Sequence, residues 1–375
     1  MIYFDNAATT RPSESAVKQA ESFLKENFYN PSALYAGGLN SAKEISDARE
    51  SLLNNLGLSS SKYEVVFTSC GTESDNLAVF CSGKRGIYVT DKGEHSAIYK
   101  SFTELERRKI DTHFIGLNRD GSVKTEELFE FVKNNDVCFV SIMHVNNETG
   151  AINDVSFIAD ELKKIKPSLV FHSDGVQAYG KIPFAFSDNM DLYSVSAHKV
   201  NALKGCGALV KKRKLHLSPL LFGGGQENGL RSGTENVFGI KVFQYASEKH
   251  YLNIRANFDK VKAINYYIRE NLDKELFTVL SGDAVSPYIL SVSAAGLKGE
   301  VLMHSLENYG IIVGNGSACS SRNRYSRVIE ACGFDNFVLD GVVRISFSSE
   351  NTLEEAREFV IKINQTARRL KGIMG

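Results

Sequence analysis

The segment Ser196-Ala197-His198-Lys199 places a lysine directly after Asp191-Leu192-Tyr193-Ser194-Val195, a short apolar run that reads as a buried strand. Lysine is normally solvated, because burying its charge is costly unless it is paired or neutralised. One chemistry calls for a lysine there: a Schiff base with an aldehyde cofactor, pyridoxal phosphate (PLP). A surface lysine at a strand end would look the same over four residues, so the rest of the chain has to supply what such a cofactor needs. Its phosphate needs backbone N–H groups and hydroxyls. Its ring nitrogen needs a carboxylate to stay protonated, and the ring faces need packing.

The chain offers a candidate for each need. Ser69-Cys70-Gly71-Thr72-Glu73 follows the strand Glu64 to Thr68 and precedes a helix over Ser74 to Cys81. Gly71 permits close backbone approach, and a helix N-terminus presents free N–H groups to an anion. Asp174, in Phe171-His172-Ser173-Asp174-Gly175-Val176-Gln177, could pair with a ring nitrogen, with Gln177 reaching a cofactor oxygen. Taken alone, Asp174 also reads as a helix N-cap. His95, in Glu94-His95-Ser96, could stack on a ring or lie on the surface near a helix start. The run from Gly223 to Asn236 carries five glycines among polar groups, a composition either flexible or shaped around a ligand. Gly314-Asn315-Gly316-Ser317-Ala318-Cys319-Ser320-Ser321 sets a cysteine among small residues, which gives a nucleophilic thiol the exposure it requires. An inert loop cysteine fits the same letters.

The elements that must position these groups alternate from residue 60 to 210. Strands are predicted at Glu64–Phe67, Gly86–Val89, His113–Ile115, Val137–Ile142, Leu169–Phe171, Leu192–Ser196 and Gly207–Val210. Apolar residues at three- and four-residue spacing predict helices over Ser96–Arg108, Thr125–Asn134 and Phe157–Ile165. This order implies an α/β fold with a mostly parallel central sheet and helices on both faces, whose ligands sit beyond the carboxyl ends of the strands. One long helix is predicted from Phe238 to Leu272. It leads to a smaller α+β region with strands near Tyr288–Val292 and Val342–Phe347 and a closing helix from Leu353.

Composition narrows the class. The 375 residues exceed what one hydrophobic core usually organises, so a large and a small domain are expected. Lys+Arg and Asp+Glu both number 44, which argues against a nucleic-acid or other polyanion partner. No apolar run approaches the roughly 18 residues that span a bilayer, and the N-terminus lacks a secretory pattern, so a cytoplasmic setting is expected. The six cysteines, at 70, 81, 138, 206, 319 and 332, form no CxxC pair or Cys/His cluster of zinc spacing, so no metal is expected.

Taken in order, the motifs Tyr3-Phe4-Asp5-Asn6-Ala7-Ala8-Thr9-Thr10, Asn30-Pro31-Ser32, Gly71-Thr72-Glu73-Ser74, Glu94-His95, Val145-Asn146-Asn147-Glu148-Thr149-Gly150, Ser196-Ala197-His198-Lys199, Arg231-Ser232-Gly233-Thr234, Gly316-Ser317-Ala318-Cys319 and Arg344-Ile345-Ser346-Phe347 resemble the group I cysteine desulfurases of the PLP-dependent class V aminotransferase superfamily. The resemblance runs nearly end to end. It implies the PLP-dependent transferase fold type I, with a large domain over 12–250 and a small domain of 1–11 and 251–375 carrying the Cys319 loop. It implies that Lys199 holds PLP and then moves a proton, and that Asp174, Gln177 and His95 serve the ring nitrogen, phenolic oxygen and ring face. Gly71, Thr72, Ser196 and His198 would bind the phosphate, completed in a homodimer by Thr234 of the neighbouring copy. Asn30, Asn147 and Arg344 would hold L-cysteine. Cys319 would take its sulfur as a persulfide, leaving L-alanine, and pass it to an acceptor protein in iron–sulfur cluster assembly or tRNA thiolation.

The chain departs from the family pattern in places. A Gly-Pro pair usual after the lysine is replaced within Asn201-Ala202-Leu203-Lys204-Gly205. The usual Asp-Ala-x-Gln reads Asp174-Gly175-Val176-Gln177, an arginine usual after Gln-Glu is Asn228, and a proline usual after Cys319 is missing. Two other readings share Lys199, Asp174 and His95: an aminotransferase or selenocysteine lyase, and a non-catalytic partner protein of the same fold. Only the desulfurase needs Cys319.

Overall fold

The computed structural model describes residues 1–374 apart from positions 84, 283, 295 and 315–324. Its strands are β1 (Ile2–Phe4), β2 (Tyr63–Thr68), β3 (Ile87–Asp91), β4 (Thr112–Ile115), β5 (Val137–Ser141), β6 (Val170–Asp174), β7 (Leu192–Ser196), β8 (Gly207–Lys212), β9 (Phe277–Val279), β10 (Ile289–Ala294), β11 (Ile311–Val313) and β12 (Val342–Ser346). Among the described residues, one sheet contains seven strands in the order β2-β8-β7-β6-β5-β3-β4. Its pairs are parallel except those of β8, which runs antiparallel to both β2 and β7. The connection from Lys199 to Gly207 is too short for the crossover that a parallel neighbour needs, so the chain turns back.

Alternation along the strands builds a core on each face. Val65 and Phe67 of β2 join Tyr193, Val195 and Val210 beneath Ile45 and Leu52 of the helix Ala36–Asn55. Val66, between them, faces the other way with Tyr88, Phe139, Leu192 and Leu209, against the helices Gly71–Cys81 and Ser96–Arg107. Val89, Val140 and Phe171 pack on the helices Thr125–Asn134 and Val155–Ile165. The expected doubly covered sheet is therefore present.

Because β2 runs the same way as β3, β5, β6 and β7, their carboxyl ends share one edge. That edge holds Thr68, Asp91, Ser141, Asp174 and Ser196. Gly207 begins β8 there, and a Cβ on it would lie 2.7 Å from the Cys70 backbone, so only glycine lets β8 approach the Gly71 turn.

The predicted long helix over Phe238–Leu272 is two helices, Val237–Leu252 and Ile254–Asn271. Asn253 leaves helical geometry at φ −118° and ψ 16°, and its side-chain amide donates back to the Lys249 carbonyl. Short polar side chains compete for backbone groups in this way. The break also serves packing: Ile240 and Phe243 enter the core of the large sheet, whereas Val261, Ile264 and Ile268 enter a separate core with Phe4, Leu290, Ile345 and Phe359. That second core is covered by the antiparallel sheet β12-β10-β9 and by the parallel pair β1-β11, both joining distant parts of the chain.

The departure at Gly175 has a packing cause. A Cβ there would lie 1.9 Å from Tyr193 Cζ, and Tyr193 is fully buried with its hydroxyl 2.9 Å from His144 Nδ1. Here the tyrosine fills the space that an alanine methyl would need. Gly175→Ala should cost about 1–3 kcal/mol through overpacking, read as a lowered thermal midpoint, and Tyr193→Val in the same chain should recover part of the loss. An unchanged midpoint for the single variant would contradict this account.

Candidate active site

Lys199 closes a single 3-10 turn, Ala197–Lys199, that continues β7 over the carboxyl edge. Its side chain is half-buried. Nζ donates to the Ala7 carbonyl at 2.6 Å and to the Ala8 carbonyl at 2.8 Å. The loop after it is closed by Asn201 in the left-handed region (φ 57°), whose amide N–H donates to Thr10 Oγ1 and whose Nδ2 donates to the Arg11 carbonyl. Asparagine tolerates that conformation, so the loop is built without the usual Gly-Pro pair.

Around Lys199 lies a cavity of about 250 Å³. Gly71, Thr72, His95, Asn147, Asp174, Gln177, Ser196, His198 and Arg344, all singled out from the sequence, line it together with Lys199. Gly71 and Thr72 open the helix Gly71–Cys81, with Ser196 beside them: a Cβ on Gly71 would fall 3.4 Å from Ser196 Cβ. The Ser196 hydroxyl is buried and has no hydrogen-bond partner among the described residues. His198 reaches Thr9 Oγ1 at 3.1 Å.

Asp174 ends β6, where one carboxylate oxygen accepts the Val176 amide at 2.9 Å. Burial raises its pKa to about 6, against the opposing pull of that hydrogen bond and of Lys199. Asp75, which sequence reasoning missed, stands in the same wall. Burial, then repulsion from Asp174, hold it well above the usual carboxylate range. His172 Nε2 lies 3.7 Å from Asp75 Oδ1 but forms no ion pair, since burial pushes the imidazole down to about 3. Asp75 sits four residues after Gly71, beyond the first helical turn that carries Glu73. The i, i+4 spacing was the available signal.

Arg344, in the middle of β12, is buried. Its Nη1 donates to the Asn147 carbonyl at 2.9 Å and its Nη2 to Asp5 Oδ1 at 2.8 Å. Nε, and the side-chain oxygen of Asn147, are buried without partners among the described residues. Gly314 pairs with Arg344 through two backbone hydrogen bonds of 2.8 and 2.9 Å. On the far side of positions 315–324, the Ser326 hydroxyl donates to Glu148, and the Arg327 guanidinium donates to the carbonyls of Lys92 and Glu94 while lying 3.9 Å over the Tyr99 ring. Cys319 itself lies outside the described residues.

Two sequence candidates stand apart from the cavity. Thr234 lines a separate hollow of about 120 Å³ with Gly205, Cys206 and Arg231. Asn30 is exposed, and its side chain accepts the Ser32 amide at 2.9 Å. Neither lines the Lys199 cavity.

The residues present fit PLP on observations of this structure. Two desolvated carboxyls, Asp75 and Asp174, face the cavity and favour a positive charge such as a protonated ring nitrogen. The Gly71 helix N-terminus and the unpartnered Ser196 hydroxyl suit a phosphate. An amine, Lys199, is within the same walls.

His95 caps the helix Ser96–Arg107, its Nδ1 accepting the Ala97 amide at 3.2 Å. Burial, then Lys199 and Arg327, push it down to about 4, so the neutral ring carries its proton on Nε2. Its folded pKa lies below the unfolded value near 6.5, so unfolding takes up a proton between those limits. The stability it contributes is present above pH 6.5 and lost as pH falls through 4. His95→Asn, which keeps a capping side chain, should flatten the fall of the unfolding midpoint between pH 6.5 and 4 relative to the parent. Identical slopes would show that His95 titrates normally.

The family model "Aminotransferase class-V" matches residues 2–359. A NifS/IcsS protein homolog of Lactobacillus delbrueckii subsp. bulgaricus is 34% identical over 381 residues, covering 97% of either chain. A cysteine desulfurase of Nostoc sp. is 33% identical over 387 residues, covering 100% of this chain and 94% of its own. A solved structure of a NifS-like protein superposes with a TM-score of 0.90 at 32% identity, covering 97% of this chain and 98% of its own. These matches place the chain in the class V aminotransferase family and, within it, among the cysteine desulfurases.

Proposed function

We propose that this chain removes the sulfur of L-cysteine, leaving L-alanine, with PLP as cofactor and Cys319 as the thiol that receives the sulfur. The observation that carries the reading is the part of the cavity wall formed by Arg344 and Asn147. There the buried Arg344 Nε and Asn147 oxygen, both without partners among the described residues, suit an amino acid's carboxylate and amine. The chain on either side of positions 315–324 is fastened to that wall, at Gly314 to Arg344 and at Ser326 to Glu148.

Asp174 and Gln177 would hold the ring nitrogen and phenolic oxygen, His95 the ring face, and Gly71, Thr72, Ser196 and His198 the phosphate. When bound, PLP supplies an electron sink for the charge that develops beside the substrate's breaking bonds. Lys199 Nζ would carry a proton between substrate carbons once it leaves the Ala7 and Ala8 carbonyls. The neutral His95 holds its proton at Nε2. Asp5 orients Arg344 for the substrate carboxylate. The Cys319 sulfur forms the new S–S bond as the substrate C–S bond breaks, so L-cysteine and a thiol become L-alanine and a persulfide with no external oxidant.

The finer reading is of the group I type, with domains at 12–250 and at 1–11 with 251–375. The sulfur goes to an acceptor protein in iron–sulfur cluster assembly or tRNA thiolation, in the cytoplasm. A homodimer is part of it. Thr234 lies off the cavity of its own chain, and Phe28, Leu34 and Phe222 are exposed large apolar groups suited to a second copy. Among the described residues, no helix is long and apolar enough to cross a membrane.

The PLP-loaded protein, given L-cysteine and a thiol reductant, should release alanine and sulfide in equal amounts, and Cys319→Ala should keep the cofactor yet lose sulfide release. Turnover undiminished by that change would end the assignment of Cys319. A second outcome tests the carboxylate site. A Cβ at Gly314 would lie 2.7 Å from Asp5 Oδ1 and 3.1 Å from Arg344 Nη2. Gly314→Ala should therefore raise KM for L-cysteine by about 3- to 10-fold with the fold intact. An unchanged KM would place the carboxylate elsewhere.

A further inference from the structure

Lys181 is buried at 3% exposure. Nothing in the chemistry above uses it. Its Nζ donates to Gln177 Oε1 at 2.8 Å, and Gln177 Nε2 in turn donates to the Ala7 carbonyl at 2.9 Å. The same Ala7 carbonyl accepts Lys199 Nζ at 2.6 Å. The chain of contacts therefore runs Lys181, Gln177, Ala7, Lys199.

The two ends of a glutamine amide differ only in chemistry, so its neighbours decide its orientation. Turning the Gln177 amide over would set its NH2 against the Lys181 ammonium and its oxygen against the Ala7 carbonyl, two repulsive contacts for two attractive ones. With Oε1 held by Lys181, Nε2 keeps a second N–H, and Gln177 lines the cavity. We propose that Lys181 is a positioning residue: it fixes the Gln177 amide so that its N–H, not its carbonyl, meets the phenolic oxygen of the bound cofactor. This rests on the reading of Gln177 as that oxygen's partner.

Its charge acts in the same direction. Burial, then Lys199 and Arg344, pull Lys181 down to about 7. The other ionisable groups that feel it are His198, beside Lys199, and His250, from the helix Val237–Leu252. While protonated, Lys181 would polarise the Gln177 amide toward the phenolic oxygen of the bound cofactor and disfavour a proton on its chromophore. Removing it should raise the proton affinity of the bound chromophore.

The test is the absorption spectrum of the PLP-loaded protein titrated with pH. Lys181→Met should bind the cofactor with its chromophore pKa raised by about one unit. Its kcat should fall about 10-fold with KM for L-cysteine changed less than about 3-fold, and Lys181→Arg should restore much of both. Gln177→Met should give a shift of the same sign, and the double variant no further shift. A chromophore pKa equal to the parent's in Lys181→Met, or shifts that add in the double variant, would overturn the proposal. If Lys181→Met does not fold, Lys181→Gln provides the uncharged comparison. Should the parent bind PLP but release no alanine from L-cysteine, the desulfurase reading fails while the titration still decides the role of Lys181.

Discussion

The structure depends on how one amine is held at the edge of a sheet. Lys199 Nζ donates to the carbonyls of Ala7 and Ala8, and a partly desolvated amine left without acceptors would carry a desolvation penalty. Those carbonyls belong to the N-terminal segment. It is anchored by β1, which pairs with β11, and by Asp5, which bridges to Ser346 and takes the Arg344 guanidinium. A lysine on the large sheet is thus held by backbone from the smaller one. The contact explains why the two cores are packed together rather than tethered.

Charge is arranged around that amine with unusual density. Asp75, Asp91, Glu94 and Asp174 are all buried, and burial raises each of them. Burying so many carboxyls costs stability unless cations face them, and Lys199 and Arg327 do so in part. The remaining imbalance favours a positively charged ring at the Asp174 end. Arg344 and the Gly71 helix N-terminus line the same cavity and favour anions. One cavity therefore carries groups suited to both signs of charge, as a zwitterionic substrate joined to a phosphate-bearing cofactor would require.

Much of this arrangement was legible in the sequence. Strand-then-loop runs ending in Asp174, Ser196 and Thr68 announced residues at the carboxyl edge of a parallel sheet, and the apolar runs located the strands themselves. Less legible were the partners. Asp75 was hidden because a carboxylate within a helix ordinarily reads as a solvated surface group, and Asp5 lies 339 residues from the arginine it orients. Gly175 read as a departure without a reason until Tyr193 was seen to occupy the missing methyl's space. The break at Asn253 was invisible to periodicity because both halves carry helical apolar spacing, each aimed at a different core.

The sequence by itself determined the fold class, through hydrophobic period and turn residues, and the family, through the resemblance of its ordered motifs; it offered the candidates for chemistry. Tertiary structure alone decided which of those residues share a cavity, which leave it, and what charge each carries there. Thr234 and Asn30 stand off the site, whereas Asp75 lines it and Lys181 backs one of its walls through Gln177. The physical reason is that desolvation and hydrogen-bond partnership are set by neighbours distant in the chain, and no local spacing encodes how deeply a carboxyl or an ammonium will be buried.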